Sequence, residues 1–315
     1  RTIRYDITLT NKPPDPVSKS KAVTEWLKSF DYNATALDTY LRCPLQFYYR
    51  FVLELREKED VSEDIEAQDV GKMVHTILSE YYRPLAGSVL KKEQFDPGKL
   101  AALVDKVCEE KYGSQQTGAA FLLKMQIKRK LEEFLEHYEF PRLEKESVEL
   151  VDVEREIAVT RDGWKFNGRI DRIERRNGKT FILDYKIRNN DDPYKTRWKK
   201  FRMEDPSTWT EAVQSLQLPL YVLLYSEQKK EDPSDIVPAY LFLGRNVLDS
   251  TIESGMGDDK EGKLYGMLER VIFGILEEIV DPNVPFRPTK DLKETCPRCP
   301  YRGICSTQWV KKPKW

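Results

Sequence analysis

The chain has 315 residues, with 52 lysines and arginines against 53 aspartates and glutamates, and a formal net charge of −1. Aromatic residues make up 11% of it and charged residues 33%, which excludes an intrinsically disordered chain and a general polycation. No apolar run is long enough for a bilayer and the start lacks the apolar stretch of a signal peptide, so we expect a soluble, cytoplasmic protein without membrane partners. Because the sequence opens on arginine, we also expect it to be a piece of a longer polypeptide.

The first part of the chain is predicted to be an arm followed by helices. Residues 1–33, rich in proline, lysine and serine, are interpreted as an N-terminal arm or linker. Apolar residues then recur at helical spacing through ALDTYLRC, FYYRFVLEL, DVGKMVHTILSEYY and FLLKMQIKRKLEEFLEHY. We therefore expect residues 34–315 to form one domain that begins with a helical annex.

From residue 148 the apolar pattern changes from helical spacing to alternation. VELVDVEREIAV, WKFNGRIDRIER and KTFILDYKI are predicted strands, and Asn177-Gly178 between the last two is typical of a tight hairpin. Further along, SLQLPLYVLLYSE is predicted to be a helix, PAYLFL a strand and KLYGMLERVIFGILEEIV a long amphipathic helix. This order predicts an α/β fold in which helices flank a mixed β-sheet.

The predicted hairpin carries acidic residues and a lysine. Asp171 ends the motif GRID, and Asp184 and Lys186 flank Tyr185 on the next strand. Because side chains alternate along a strand, Asp184 and Lys186 share a face, and Asp171 can lie beside them. Two carboxylates on one face are typical of a Mg²⁺ or Mn²⁺ site, and a neighbouring lysine can orient water for attack on a phosphate. The alternative is a cross-strand ion pair on a solvated face, but the apolar flanks of ILDYKI favour a partly buried site.

Three of the five cysteines crowd the C-terminus, at Cys296, Cys299 and Cys305. Their spacing and the softness of thiolate ligands leave a [4Fe–4S] cluster or a zinc ion as alternatives. Zinc normally takes a second close pair of ligands, which the sequence lacks. Cys43 and Cys108 lie alone, and Cys108 is interpreted as an ordinary residue of a helix.

A basic and aromatic segment, YKTRWKKFR, follows the last hairpin strand. Its cations can neutralise phosphates while its rings, including Tyr194 and Phe201, stack on unpaired bases. The alternative, about equally favoured for any single residue, is a solvated loop whose rings pack on the protein body. The predicted nucleic-acid contacts are Lys195, Arg197, Trp198, Lys199, Lys200 and Arg202.

The motifs GKMVH, GRIDRIE, LDYK and QLPLY, in this order and spacing, resemble the RecB-like branch of the PD-(D/E)XK nuclease superfamily. That branch includes the nuclease domains of AddB- and RecB-type helicase–nucleases and CRISPR-associated Fe–S exonucleases. The resemblance covers about Thr35 to Cys305, nearly the whole chain. It implies a restriction-endonuclease-like fold and a Mg²⁺- or Mn²⁺-dependent deoxyribonuclease, an exonuclease that acts in DNA double-strand break repair. The implied partners are DNA and a helicase subunit or upstream helicase-like region, because the GKT at 178–180 lacks the first glycine of a P-loop.

The resemblance also implies roles for single residues. The implied metal ligands are His75, Asp171, Asp184 and the backbone carbonyl of Tyr185. Lys186 falls on the catalytic lysine of the family. Gln217 and Tyr221 match the Q-x-x-x-Y motif that borders its active site, and Pro219 between them predicts a kinked helix.

Other ionisable residues lie near these motifs. Glu154 and Glu156 sit one strand upstream and are at best auxiliary metal ligands, because alternation fixes only that they share a face. His137 is interpreted as an ordinary helical histidine, and His75 is distinguished from it only by the motif around it.

The segment YLRCPLQF matches the context in which AddB-type nucleases place a further cluster ligand. The resemblance therefore implies a [4Fe–4S] cluster held by Cys43, Cys296, Cys299 and Cys305, which ties the helical annex to the C-terminus. A catalytically silent Fe–S DNA-binding module is the alternative, which the complete motif set disfavours. A zinc-stabilised scaffold for protein partners is the least favoured interpretation.

Overall fold

The computed structural model describes residues 12–56, 67–114, 116–257 and 263–311, so residues 1–11 of the predicted arm lie outside the described residues. The helices are α1 (Lys21–Lys28), α2 (Ala34–Arg42), α3 (Pro44–Phe47), α4 (Ala67–Tyr82), α5 (Pro97–Tyr112), α6 (Gly118–Phe134), α7 (Phe140–Leu143), α8 (Trp209–Ala212), α9 (Gln217–Lys229), α10 (Leu264–Val280) and α11 (Leu292–Thr295). The strands are β1 (Asp31–Tyr32), β2 (Ser88–Val89), β3 (Val148–Arg161), β4 (Trp164–Arg176), β5 (Lys179–Lys186), β6 (Ile236–Phe242) and β7 (Glu253–Ser254). Within the described ranges, every helix is too short or too polar to cross a bilayer.

The chain folds into two compact units. One comprises Arg1–Phe30, Thr35–Asp60 and Phe273–Trp315, and the other comprises Asp31–Ala34 and Val61–Ile272. The cysteine motifs fall in the first unit and the acidic hairpin in the second. The two predicted sites are therefore built by different parts of the chain.

Helix α1 is where the structure departs from the predicted arm. Its N-cap is Ser20, whose side chain accepts a hydrogen bond from the Val23 N–H at 3.3 Å. Leu27 on the next turn is fully buried. The prediction of an arm through residue 33 is therefore wrong for residues 21–28. The proline-rich part of the segment ends at Pro16, and the helix that follows is too short to show a clear apolar repeat in the sequence.

The sheet of the second unit is mixed, as predicted. Its strand order is β2-β3-β4-β5-β6-β7, with β1 paired to β4. Strands β3, β4 and β5 form an antiparallel meander. Asn177 and Gly178, at φ angles of 49° and 82°, adopt the left-handed conformations that the tight hairpin between β4 and β5 requires. Strand β6 runs parallel to β5, and α8 and α9 lie in the connection between them.

Alternating side chains of the sheet face two helical layers. Leu183 and Leu241 belong to a large apolar core together with residues of α4, α5 and α6. Tyr240 and Phe242 point to the opposite face, where they pack with Leu218 of α9. The sheet is thus covered on both faces, which confirms the predicted α/β class with helices flanking a mixed sheet.

Candidate active site

The acidic residues of the hairpin lie where strands β4 and β5 separate. The last residues paired between these strands are Arg172 and Leu183, and Asp171 and Asp184 come directly after them. Both carboxylates are buried, with 6% and 2% of the residue exposed. Asp171 Oδ2 accepts a hydrogen bond from the Tyr185 N–H at 2.8 Å, which replaces a bond between the strands. The structure therefore brings the two acids together as the hairpin predicts.

Lys186 and Asp184 are held together by Gln217. The Lys186 ammonium lies 2.5 Å from Asp184 Oδ2 and donates to Gln217 Oε1 at 2.8 Å. The Gln217 amide nitrogen donates in turn to Asp184 Oδ1 at 2.7 Å and to the Tyr221 hydroxyl at 2.9 Å. One amide thus fixes the positions of both charged groups.

Helix α9 delivers Gln217 and Tyr221 from one face, as their spacing predicts. The predicted kink at Pro219 is wrong, because α9 begins at Gln217 and the proline falls in the first turn, where it is tolerated. Gly168 of β4 permits the close approach of this helix. A Cβ there would lie 2.7 Å from the Leu224 side chain and 3.3 Å from the Tyr221 ring.

His75 of α4 joins the carboxylates from the other side. Its Nδ1 lies 3.3 Å from Asp171 Oδ1 and 3.9 Å from Glu154 Oε1, and its Nε2 lies 3.0 Å from the Tyr185 carbonyl oxygen. The ligand atoms of His75, Glu154 and Asp171 all lie within 4.8 Å of one another. Among the described residues, this is the group of side chains that is spaced to bind a metal ion, and Asp184 lies beside it rather than within it.

Glu154, which the sequence indicates only as an auxiliary ligand, belongs to the group of side chains that is spaced to bind a metal ion. The pairs on either side of it join Val153 to Arg172 and Arg155 to Ile170, so Glu154 lies opposite Asp171. Its φ of 50° is in the left-handed region, which is strained for a residue with a side chain.

The carboxylate of Glu154 also pairs with Arg169 at 2.8 Å, and the side chain of that arginine is 60% exposed. Glu156, the other auxiliary ligand considered from the sequence, is exposed and lies outside the group. The strand pattern gave no signal to separate these two acids, because it does not reveal which residue of β3 opposes Asp171.

The ionisation of the site follows from burial and from its excess of carboxylates. Burial raises the pKa of Asp184 to about 6, against the opposing attraction of Lys186 and together with the repulsion of Asp171. Burial alone would lower the pKa of Lys186, but the Asp184 charge outweighs it and raises that pKa. For His75, burial is likewise outweighed by the Asp171 hydrogen bond and by the surrounding carboxylates, and its pKa rises to about 9. The raised pKa values of His75 and Lys186 report the anionic charge around them, whereas the raised pKa of Asp184 is caused first by burial.

The rings of the basic and aromatic segment pack on the protein body. Tyr194 lies 4.8 Å from the Tyr240 ring, centroid to centroid, and Phe201 is 7% exposed. Trp198 packs against Phe201 and against Gly257, where a Cβ would lie 2.8 Å from its Nε1. For Tyr194 and Phe201 the structure therefore favours the second alternative, a loop whose rings pack on the protein body, beside β6 and next to Trp198. Tyr194 and Tyr240 instead present their faces to the Lys186 ammonium, each at 5.1 Å.

The cations of that segment divide into paired and unpaired groups. Lys195 pairs with Asp191 at 2.7 Å and Lys200 with Glu211 at 3.1 Å. Arg202 donates to the Phe201 carbonyl at 2.7 Å. Arg197 and Lys199 are exposed, and no ion pair within the described ranges involves either. These two remain available to a polyanion.

The four cysteines assigned to a cluster line one cavity of the first unit. Cys43 and Cys296 are buried in the wall of this cavity, while Cys299 and Cys305 are half-buried. Cys108 lies apart, fully buried in α5. The structure therefore brings together the cysteines that the motifs single out and leaves Cys108 in an apolar core.

The chain resembles known nucleases over most of its length. A family model described as the PD-(D/E)XK nuclease superfamily matches residues 32–306. An ATP-dependent helicase/deoxyribonuclease subunit of Carboxydothermus hydrogenoformans is 25% identical over 274 residues, which make up 80% of this chain and 24% of that protein. The chain thus spans about a quarter of the length of this curated relative.

Proposed function

Because the chain belongs to the PD-(D/E)XK nuclease superfamily, we propose that it is a metal-dependent deoxyribonuclease domain that hydrolyses phosphodiester bonds of DNA. One observation carries the proposal: the buried carboxylate of Asp171, the half-buried carboxylate of Glu154 and the half-buried imidazole of His75 converge within 4.8 Å at the point where β4 and β5 separate. Lys186 lies beside this group, where it can contact a phosphate of bound DNA. A buried group of acids without a matching number of cations is typical of a site completed by a metal ion.

The donor atoms fit Mg²⁺ or Mn²⁺. His75, Asp171 and Asp184 are the proposed ligands, with the Tyr185 carbonyl as a further one, and the geometry adds Glu154 to this set. Carboxylate and carbonyl oxygens suit these hard ions, and one imidazole is compatible with Mn²⁺. Apart from its ion pair with Lys186 at 2.5 Å, Asp184 Oδ2 has no hydrogen-bond partner among the described residues. A further lone pair of this buried oxygen is therefore open to a metal ion.

The side chains around the ligands orient the reactants. A divalent ion, when bound, supplies a Lewis acid that neutralises phosphate charge and makes water a better nucleophile. Lys186 stays protonated at neutral pH because its pKa is raised, so it donates a hydrogen bond to water or phosphate and does not act as a base. Gln217, through its bonds to Lys186 and Asp184, keeps both groups aimed at the same point. Tyr221 fixes the rotamer of Gln217 and is a positioning residue.

We propose that the cavity lined by Cys43, Cys296, Cys299 and Cys305 holds a [4Fe–4S] cluster with these four cysteines as ligands. Within the described ranges, no three cysteine sulfurs lie within 4.8 Å of one another, whereas a tetrahedral zinc ion with bonds of about 2.3 Å holds its sulfurs about 3.8 Å apart. The wider spacing of the sulfurs favours the larger group. Such a cluster would link the segment around α2 and α3 to the C-terminal segment within the first unit.

The relative's name supports a place in a helicase–nuclease system. That protein is named as a helicase/deoxyribonuclease subunit, and no P-loop occurs in the 315 residues of this chain. We propose that DNA unwinding comes from a helicase subunit or from another region of the polypeptide, and that the domain digests DNA ends during double-strand break repair in the cytoplasm. Arg197 and Lys199 are the proposed contacts to DNA phosphates, followed by Lys195, Lys200, Arg202 and Trp198.

The experiment that tests the nuclease activity compares linear and circular DNA. End-labelled linear duplex, end-labelled single strands and covalently closed circles are incubated with the protein and Mg²⁺, Mn²⁺ or EDTA. We expect metal-dependent release of label from linear DNA, intact circles, and no release by Asp184→Ala. Cleavage of circles would show an endonuclease. DNA binding without cleavage in any metal would instead support the catalytically silent module.

A separate experiment tests the cluster. Protein purified without oxygen is assayed for iron, sulfide and zinc, alongside Cys43→Ser and the matched control Cys108→Ser. We expect roughly four irons per chain in the parental protein and in Cys108→Ser, and a strong loss in Cys43→Ser. Stoichiometric zinc with no iron would overturn the cluster.

A further inference from the structure

Arg169 of β4 lies beside the metal-binding group, with most of its side chain in solvent. Its Nε lies 2.8 Å from Glu154 Oε2, while the other oxygen of that carboxylate, Oε1, lies 3.9 Å from His75 Nδ1. Glu154 therefore connects the guanidinium to the group of side chains that is spaced to bind a metal ion. The Arg169 side chain is 60% exposed, so a ligand that enters from solvent can reach it.

The guanidinium of Arg169 has more donors than its contact in the protein uses. An arginine carries five N–H groups in a rigid, planar fork. Within the described ranges, Glu154 is the only ion-pair partner of Arg169, and the contact is made through Nε. Terminal N–H groups on the exposed side are therefore available. A planar fork of this kind matches two oxygens of a phosphate.

The backbone that carries Arg169 is held from two sides. Arg169 is paired with Glu156 of β3. Gly168, directly before it, packs so closely on α9 that a Cβ there would lie 3.3 Å from the Tyr221 ring. The sheet and the helix thus fix the guanidinium next to the metal-binding group. Because an exposed ion pair contributes little to stability, the stability of the fold does not account for a cation at this position.

The charge balance of the site also favours a phosphate next to Arg169. The site holds the three carboxylates already described and the fixed cations Lys186 and Arg169. One divalent ion, with His75 as a neutral ligand, would leave a single positive charge in excess. A phosphodiester carries one negative charge and would neutralise it. Without Arg169, the loaded site would be neutral before any phosphate entered.

We infer that Arg169 binds a backbone phosphate of the DNA strand beside the metal ion. The inference deepens the proposed function and rests on it for the nature of the substrate. It makes Arg169 a substrate-binding residue, separate from the cations of the basic and aromatic segment. Glu154 then has two contacts, since one oxygen faces the metal-binding group and the other holds the guanidinium of Arg169.

The test measures DNA binding apart from cleavage. Fluorescence anisotropy gives the affinity for a labelled single strand and a labelled duplex in EDTA, over a range of salt concentrations, for the parental protein, Arg169→Gln and Arg169→Lys. The matched control is Arg175→Gln on the same strand. The Arg175 side chain is 50% exposed and pairs with Glu231 at 3.8 Å, and four strand residues place it roughly 13 Å from Asp171.

The loss of one phosphate contact has a defined signature. We expect Arg169→Gln to weaken binding about tenfold at low salt. The slope of log affinity against log salt should become shallower by about 0.7 on the single strand or about 0.9 on the duplex. Arg169→Lys should keep the parental slope, because it keeps the charge, and Arg175→Gln should match the parental protein in both measurements.

The outcomes separate the phosphate contact from the proposed nuclease. A parental salt slope in Arg169→Gln on both DNAs would overturn the inference, even if that variant cleaved DNA more slowly, because Arg169 would then act only through Glu154. A parental protein that binds DNA without cleaving it in any metal would overturn the nuclease, whereas a shallower slope in Arg169→Gln would still support the contact. A parental protein that binds no DNA would overturn both.

Discussion

Strand β4 carries a charge cluster on each of its two faces, and only one of the clusters is balanced. On one face, Glu174 accepts hydrogen bonds from Arg142 at 2.6 Å and Arg176 at 2.7 Å, and it also pairs with Arg172. Glu139, which is fully buried, accepts from Arg172 at 2.6 Å and from Arg142 at 3.0 Å. These arginines outweigh the effect of burial and hold the pKa of Glu174 well below its ordinary value.

The balanced cluster is closed by further contacts. Arg176 reaches Glu253 at 2.9 Å, so three guanidinium groups meet three carboxylates. The Arg172 guanidinium also lies 4.1 Å from the centre of the Tyr82 ring. A buried cluster with this balance of charge can remain ionised without any bound ion.

The opposite face bears Asp171 and, across the neighbouring strands, Asp184 and Glu154. Their fixed cations are Lys186 and Arg169, and the arginine side chain is 60% exposed. The shortage of fixed cations appears in the pKa of His75, which the surrounding carboxylates raise to about 9 against the effect of burial. Neighbouring residues of one strand thus differ in role: Arg172 and Glu174 belong to a balanced buried charge cluster, whereas Asp171 is one of the proposed metal ligands.

The largest expected difference between the faces is in catalysis. Asp171→Asn should reduce the rate of DNA hydrolysis about a thousandfold or more, because it removes a charge that the metal requires, while the protein stays folded. Initial rates and circular dichroism are measured together. Glu156→Gln, an exposed acid on the neighbouring strand, is the control and should keep the parental rate. An Asp171→Asn variant with near-parental activity would show that this carboxylate is not a metal ligand.

On the balanced face the expected loss is in stability. Glu174→Gln leaves three buried guanidinium groups short of a partner, so it should lower the free energy of unfolding by about 3–5 kcal/mol. Urea denaturation measures this change. The control is Glu144→Gln, which removes an exposed pair with Lys92 at 3.6 Å, and such surface pairs contribute about 0–1 kcal/mol. Equal stabilities for the two variants would contradict the structural role of the cluster.

Glu154 tests how far the unbalanced site extends. If its carboxylate binds the metal, Glu154→Gln should weaken Mn²⁺ affinity about 10- to 100-fold, comparable with the loss of an outer-shell partner or ligand. Glu156→Gln should bind Mn²⁺ as the parental protein does. Isothermal titration calorimetry with Mn²⁺ measures the affinity of the parental protein and of each variant. Equal affinities would assign Glu154 to the ion pair with Arg169 alone.

The smallest expected effect is a proton released on metal binding. The pKa of His75 near 9 means that its imidazole is protonated at pH 7.5 in the metal-free protein, and it must lose that proton to act as a ligand. Affinity should therefore rise up to tenfold per pH unit below about pH 9 and level off above it. Titrations in buffers of different ionisation enthalpy should give about one proton per metal ion, and none for His75→Gln. A parental protein that releases no proton would exclude His75 as a ligand.

The hairpin and its acids could be predicted because their signals are local. Alternation identifies β3, β4 and β5, the Asn177-Gly178 pair identifies the turn, and period two places Asp184 and Lys186 on one face. The same period also puts Arg172, Glu174 and Arg176 on the opposite face from Asp171, so the motif RIERR held a signal for the buried cluster. What it could not show is that Glu139 and Arg142 would meet them from a distant helix.

The remaining features depend on contacts that sequence spacing does not specify. Glu154 has a φ of 50° and lies opposite Asp171, and the spacing of residues along the sequence specifies neither. Tyr194 is aromatic in a basic segment, which favours stacking on bases, yet its ring is used to cover Lys186. Leu27 is fully buried, although the proline-, lysine- and serine-rich residues before it predict an exposed arm. In each case a tertiary contact overrides the local pattern.

The most direct measurement of the central claim is the Mn²⁺-dependent shift of thermal unfolding in three proteins. A ligand that binds only the folded state at about 100 times its Kd stabilises it by about 2.7 kcal/mol. We predict the same metal-induced gain for the parental protein and for Glu174→Gln, despite the lower starting stability of that variant, and no gain for Asp171→Asn. An equal gain in Asp171→Asn would show that the unbalanced face of β4 does not bind the metal ion.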